Sequence, residues 1–161
     1  MSEADGPRVL QELGGGLFAV HKPAGWRVHP ANDDGTPDLV AWLATQGRSM
    51  ARPAHRIDAA ASGIVLCGQT PAARARAGAW FTENQVHKVY LALVLGRTRK
   101  QGTIRRALAD GRRGRKLDAV THYRCVEQLG KVSLLAVQIE TGRKHQIRRH
   151  LQGLGHSIVG D

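Results

Sequence analysis

Apolar positions along this chain come in short runs broken by glycine, proline and charge. Leu17 to His21 has the length of a strand, and the Lys22-Pro23-Ala24-Gly25 that follows ends it, because proline lacks a ladder donor and glycine favours a turn. A loop carrying Trp26, Arg27 and His29 results. Thr36-Pro37-Asp38 places a cap, a first-turn proline and an early acid before Leu39, Val40, Trp42 and Leu43, with Gly47 as the stop, which predicts a helix. Gly63 to Cys67 reads as a buried strand, and Thr70-Pro71 opens a second helix to about Phe81. From Val86 to Leu95 the pattern alternates, with Val89, Leu91, Leu93 and Leu95 on one side and Lys88, Tyr90 and Ala92 on the other. Ala119 to Glu127 and Val132 to Glu140 are two further strands joined at Leu129-Gly130-Lys131. After Thr141-Gly142 the period becomes helical: Ile147, Leu151 and Leu154 form an apolar row, opposite His145, Arg148, Arg149 and Gln152. Residues 1–13 read as a loose arm, which leaves one domain over 14–161. Gly14-Gly15-Gly16 precedes a strand instead of following one, so it is a turn and not a phosphate-binding loop.

With 161 residues, the length suits one core. No apolar run approaches the roughly 20 residues of a membrane helix. The acidic, polar N-terminus lacks the basic start and apolar segment of a signal peptide, and Cys67 and Cys125 have no companions at ligand spacing; a cytoplasmic, reduced setting is expected. Charge is the informative quantity. Twenty-four Lys and Arg stand against 13 Asp and Glu, a formal net charge of +11, and most of the bases are arginines, whose planar fork suits phosphate. From Arg97 to Lys116 the only acid is Asp110. A basic stretch can be only a solvated surface, but a polyanionic partner is the expectation. Aromatic content of 4% argues against a base-stacking platform.

Four segments carry candidate chemistry: His21-Lys-Pro-Ala-Gly25; His55-Arg-Ile-Asp58 with Ala61-Ser-Gly63; Lys88-Val-Tyr90-Leu-Ala-Leu-Val94; and Thr141-Gly-Arg-Lys-His-Gln-Ile-Arg148 through Gly155-His-Ser-Ile-Val-Gly-Asp161. Read singly, Asp58 pairs with Arg56 or caps a turn, Tyr90 is a packed strand aromatic, and Arg148 lies on a polar helix face. Taken together and in this order, from about residue 14 to the last residue, they closely resemble the RluA-type RNA pseudouridine synthases.

That resemblance implies an α+β fold, a mostly antiparallel mixed sheet with flanking helices and a central active-site cleft. It makes Asp58 the nucleophile that attacks a target uridine, at C6 of the ring or C1′ of the ribose, both routes staying open; the base is released, rotated and rejoined through C5. Arg148 is then the guanidinium that keeps the buried carboxylate ionised, and Tyr90 packs on the base and helps move a proton. Arg56 holds RNA with the uridine extruded, a step required because a stacked base hides the atoms to be attacked. His55, Arg143, His145, Gln146, Arg105, Arg106, Arg112 and Arg113 are the further RNA-contact candidates. The partner is RNA, ribosomal or transfer. No cofactor is implied, since one glycosidic bond is exchanged for another without net redox change, and no metal set is expected: His145 and His150 are five apart on the anticipated helix and lack an acidic or Cys companion.

The pattern departs from the family in three places. Ala61 stands where a threonine is usual and Ser157 where a proline is usual, and family members continue past Gly160-Asp161 with further strand and helix, so a C-terminally short catalytic domain is expected. The alternative reading is a catalytically silent RNA-binding or chaperone-like domain that keeps the fold.

Overall fold

The computed structural model describes residues 6–31, 34–109 and 114–160. They form two compact units, Met1–Gln85 and Val86–Asp161, where the hydrophobic pattern suggested a single one. Each sheet closes its own core, and the junction falls in the polar 83–88 segment.

In the first unit, strands β1 (Arg8–Gly14), β2 (Leu17–Lys22), β3 (Arg52–Pro53) and β4 (Gly63–Gly68) make a sheet of order β1-β2-β4-β3, antiparallel throughout. Leu17, Phe18, Ala19 and Val20 are all buried, so both faces of β2 are covered; an unbroken apolar run is what such a strand needs. Residues 8–14 correct the expectation of a loose arm. The seven residues of β1 are exposed, so no burial pattern marks them; they are held by ladder bonds to β2, with two register irregularities. Helix α1 (Leu39–Thr45) starts later than its Thr36-Pro37 signal, because the working cap is Asp38, which accepts from the Ala41 amide at 2.9 Å. Helix α2 (Pro71–Thr82) begins as predicted, with Thr70 accepting from the Ala73 amide at 3.1 Å and Pro71 at its start. Ala73 and Ala77, one turn apart, bury against Leu17.

In the second unit, β5 (Lys88–Leu95), β6 (Gln101–Arg105), β9 (Val120–Leu129) and β10 (Val132–Ile139) form an antiparallel sheet of order β5-β10-β9-β6, and β7 (Leu108–Ala109) pairs with β8 (Lys116–Leu117). The basic 97–116 stretch therefore holds β6, β7 and the start of β8. Gly102 permits β6 to lie against Tyr123: a Cβ there would stand 2.7 Å from the phenol ring. Helix α3 (Gln146–Gln152) packs Leu151 onto a core of Ala92, Val94, Ile104, Leu135, Val137 and Ile139. Tyr90 packs against this core from β5, away from Val89, Leu91, Leu93 and Leu95, which are the exposed row of that strand. The small Ala92 and Val94 are the buried ones, so the heavier side of the alternation is not the inward side. Leu154, expected in the apolar row of α3, is 47% exposed beyond the helix end.

Candidate active-site loop and α3 platform

Asp58 sits at the head of a tight turn in the first unit, its backbone carbonyl accepting from the Ala61 amide at 3.1 Å. Ile57 beside it is buried and rests against Gly63, whose φ of +153° is a conformation side chains rarely adopt. What holds the turn from beneath is Lys22. It is fully buried at the end of β2, and its ammonium donates to four carbonyls: Pro23 (2.8 Å), Trp26 (2.7 Å), Ala59 (3.3 Å) and Ala61 (2.7 Å). Gly25 adds a backbone bond to Ala59 at 2.8 Å. The Lys-Pro-Ala-Gly loop and the turn after Asp58 are thus fastened to one cation. Burial lowers the Lys22 pKa to about 8, while the Asp58 carboxylate pulls it back up. Lysine before proline at a strand end was a visible signal, but only as the end of a strand; nothing in the spacing tied it to Asp58.

His55, expected as an RNA contact, has a structural part in the fold. Its Nε2 accepts from the Leu66 amide at 2.9 Å and its ring lies 4.2 Å from the Phe81 ring. Burial pushes its pKa down to about 4, so at neutral pH it carries no charge for a phosphate. Arg56, next to it, is exposed.

The other candidates belong to the second unit. Gln146 corrects a second expectation. It is 3% exposed, and its amide is fully used: Oε1 accepts from the Thr141 hydroxyl (2.8 Å) and the Arg143 amide (3.0 Å), and Nε2 donates to Val120 O and Thr121 Oγ1, both at 3.0 Å. An amide with all these bonds made is a brace and has nothing left for RNA. One turn on, His150 is buried too, with Nδ1 2.9 Å from Thr121 Oγ1 and Nε2 2.9 Å from the Arg106 carbonyl. Gln146 and His150 therefore pin one side of α3 to β9. Arg148, two residues from each, falls about 200° round the helix from either, and is half-buried on the opposite side.

His145 precedes the helix as its cap residue, in a left-handed conformation (φ 52°). It is not a helical residue five positions from His150, and its Nδ1 meets the Arg148 guanidinium at 3.1 Å. Arg148 also lines a hollow of about 100 Å³ with Gln152, Ser157 and Ile158. Arg143, exposed, turns its Nε to the Asp118 carbonyl at 3.1 Å. Arg105 and Arg106 are exposed at the end of β6, whereas Arg112 and Arg113 lie outside the described residues. Among the described residues no group of three His, Cys, Asp or Glu is arranged to hold a metal, and no helix is long and apolar enough to cross a membrane. The residues whose part in the site was missed by sequence reasoning are Lys22, Thr121 and His150, none of which carries a local signal that it is buried.

Residues 16–153 match the family described as RNA pseudouridylate synthase. A ribosomal large subunit pseudouridine synthase D of Zymomonas mobilis is 37% identical over 164 residues, taking in 90% of this chain and 52% of the relative. A tRNA pseudouridine synthase C of Yersinia pestis is 30% identical over 168 residues, 90% of this chain and 65% of that protein. The solved structure of human RNA pseudouridylate synthase domain containing 1 superposes with a TM-score of 0.79 at 26% identity, covering 100% of this chain and 70% of that one. The chain spans about half the length of most of the curated relatives it matches.

Proposed function

The chain belongs to the RluA type of the RNA pseudouridylate synthase family, and from that membership we propose that it isomerises uridine to pseudouridine in structured ribosomal or transfer RNA, with Asp58 as nucleophile. The observation that carries the role of Asp58 is the Lys22 clamp: four carbonyl bonds from one buried ammonium fix the turn that begins at this carboxylate. A nucleophile held in one geometry by groups that need not reorganise is what a covalent mechanism requires. In the reaction, the Asp58 carboxylate adds at C6 or C1′, the N1–C1′ bond breaks, and the base turns and bonds to C1′ through C5. The bond to Asp58 breaks in turn, at C1′ as C5 displaces the carboxylate or at C6 by elimination as the C5 proton leaves; with that proton lost and one taken up at N1, the atoms of the uridine are conserved and the carboxylate is regenerated.

Arg148 is proposed to keep the carboxylate ionised, and Tyr90 to pack on the base; the pinned α3 supports the first role and the packing of Tyr90 against the core of its sheet the second. Arg56, Arg143, His145, Arg105 and Arg106 are proposed RNA contacts, and all but His145 are exposed cations. The test is pseudouridine formation in transcripts of ribosomal and transfer RNA by the unaltered chain and by Asp58→Ala. Product from the unaltered chain alone is expected; equal product from both would overturn the assignment of Asp58.

A further inference from the structure

At the far end of the second sheet from the Arg143–Gln146 turn, five residues, 96–100, connect β5 to β6. They face an irregularity in β9, where Val126 falls between the residues paired with Leu134 and Leu135. Bulges of this kind re-aim side chains and gather near functional sites. Here the bulge and the turn bound an open hollow of about 570 Å³, whose lining includes Arg97, Thr98, Lys100, Arg124 and Glu127. Three cations thus meet one carboxylate, all four exposed, and none of the three bases makes an ion pair among the described residues. The turn itself is stiff. Buried Ser133 accepts from the Thr98 amide at 3.2 Å and bonds the Gly96 carbonyl at 2.7 Å, and the Gly96 amide donates to Lys131 O at 2.7 Å. Thr98 Oγ1, by contrast, is the buried side-chain oxygen without a hydrogen-bond partner among the described residues. Three exposed cations without ion pairs, gathered round one hollow on a hydrogen-bonded turn, are the donor set of a phosphate site.

We propose that this hollow, built by Arg97, Thr98, Lys100 and Arg124, is a second RNA-binding site that grips backbone phosphate away from the reacting uridine. The inference rests on the reading of the chain as an RNA-modifying enzyme. Distance favours a polymer as occupant. The hollow lies at the Leu95 end of β5 and the Arg143 turn beyond the Lys88 end, a separation along the strand of roughly 25 Å. A ligand engaging both is several nucleotides long. Contacts of this type position an RNA without reading its sequence.

The experiment measures affinity of the full chain for a mixture of transfer RNA transcripts by fluorescence anisotropy between 50 and 200 mM KCl. Removing one cation that neutralises a phosphate lowers the slope of log affinity against log salt by about 0.7–0.9, so Arg97→Gln/Lys100→Gln/Arg124→Gln is expected to reduce it by about two to three. Circular dichroism and melting establish that the variant is folded. The comparison is Arg8→Gln/Arg74→Gln, which removes two cations of the first unit and is expected to leave the slope nearly unchanged. An unaltered slope in the triple variant, or an equal fall per charge in the comparison variant, overturns the proposal while leaving the enzyme reading in place. Absence of RNA binding by the unaltered chain would overturn both.

Discussion

Replacing Lys22 by methionine keeps the length of the side chain and removes its charge and donors. Of the four carbonyls that the ammonium serves, that of Ala59 keeps the Gly25 amide as a donor at 2.8 Å, whereas no second bond to those of Pro23, Trp26 and Ala61 is seen among the described residues. At about 1–3 kcal/mol for each buried group left unsatisfied, the gross loss is about 3–9 kcal/mol. Relief from burying an ammonium returns several kcal/mol of this, for an expected net loss of about 2–3 kcal/mol. In a chain of this size that lowers Tm by roughly 4–12 °C, and displacement of the Asp58 turn by an ångström is expected to reduce kcat about 100-fold. The pH dependence gives an independent signature. Folded Lys22 titrates near 8 and the unfolded side chain near 10.5, so between these values the unfolded chain binds the extra proton and stability climbs with pH. The methionine variant lacks this gain, and its deficit should widen from pH 8 to 10.5. Urea denaturation across that range, with single-turnover pseudouridine assays, reads both effects. A Tm within one degree and turnover within threefold of the unaltered chain would refute the idea that one cation holds the loop.

Asp58→Asn should abolish product and leave RNA affinity within about twofold; turnover by this variant would remove the carboxylate from the mechanism. His55 is neutral in the fold with its pKa near 4, so its contribution is complete above pH 6.5 and is lost as pH falls toward 4; His55→Phe should show a shallower loss of stability from pH 7 to 5 in urea titrations, and parallel curves would count against a buried neutral ring. Gln146→Leu strands the Thr141 hydroxyl proton and the Arg143 amide in or near the interior and takes one of its two bonds from the Thr121 hydroxyl, and should cost about 2–4 kcal/mol, measured by the same denaturation. Burial pushes the Cys67 thiol up to about 12, while Cys125 is only half-buried. One thiol per folded chain should therefore react with iodoacetamide at pH 8, with peptide mapping placing the label on Cys125; label on Cys67 would contradict its burial.

What the sequence made legible follows from where burial and backbone chemistry agree. Leu17–His21, Gly63–Cys67 and the Thr70-Pro71 helix start combine an apolar run with a breaker or a cap, and each appears close to its expected bounds. Strand β1 has no inward face, and β6 lies in a run whose arginines and glycines conceal alternation; both exist through ladder bonds to a neighbour, which no single segment announces. The alternation in β5 was visible, yet its direction was not: burial of Ala92 and Val94 over the leucines is decided by the partners across the sheet. Among the site candidates, His55 and Gln146 were picked by motif, and the structure turns both inward, since a polar side chain with every bond satisfied looks the same in a sequence as one awaiting a ligand. Lys22 is the converse case, a charged residue whose burial is intelligible only when four carbonyls from two separate loops are seen to meet it.

The pin between α3 and β9 has an order in its protons. His150 Nε2 faces the Arg106 carbonyl, which can only accept, so Nε2 carries a proton, and in the neutral form of an imidazole the other nitrogen, Nδ1, is then an acceptor. The Thr121 hydroxyl must then donate to Nδ1, and its oxygen is free to accept from Gln146 Nε2. The chain runs one way, from the glutamine amide through the hydroxyl and the imidazole to a backbone carbonyl. A ring flip at His150 would put C–H groups where its two nitrogens bond, and an exchange of the Gln146 amide atoms would set donor against donor at the Arg143 amide and acceptor against acceptor at the Val120 carbonyl, so the row behaves as a key with a single orientation. Arg148 projects from the far side of the same turn of helix, so the bonds that hold the helix in place and the guanidinium it carries lie on opposite sides.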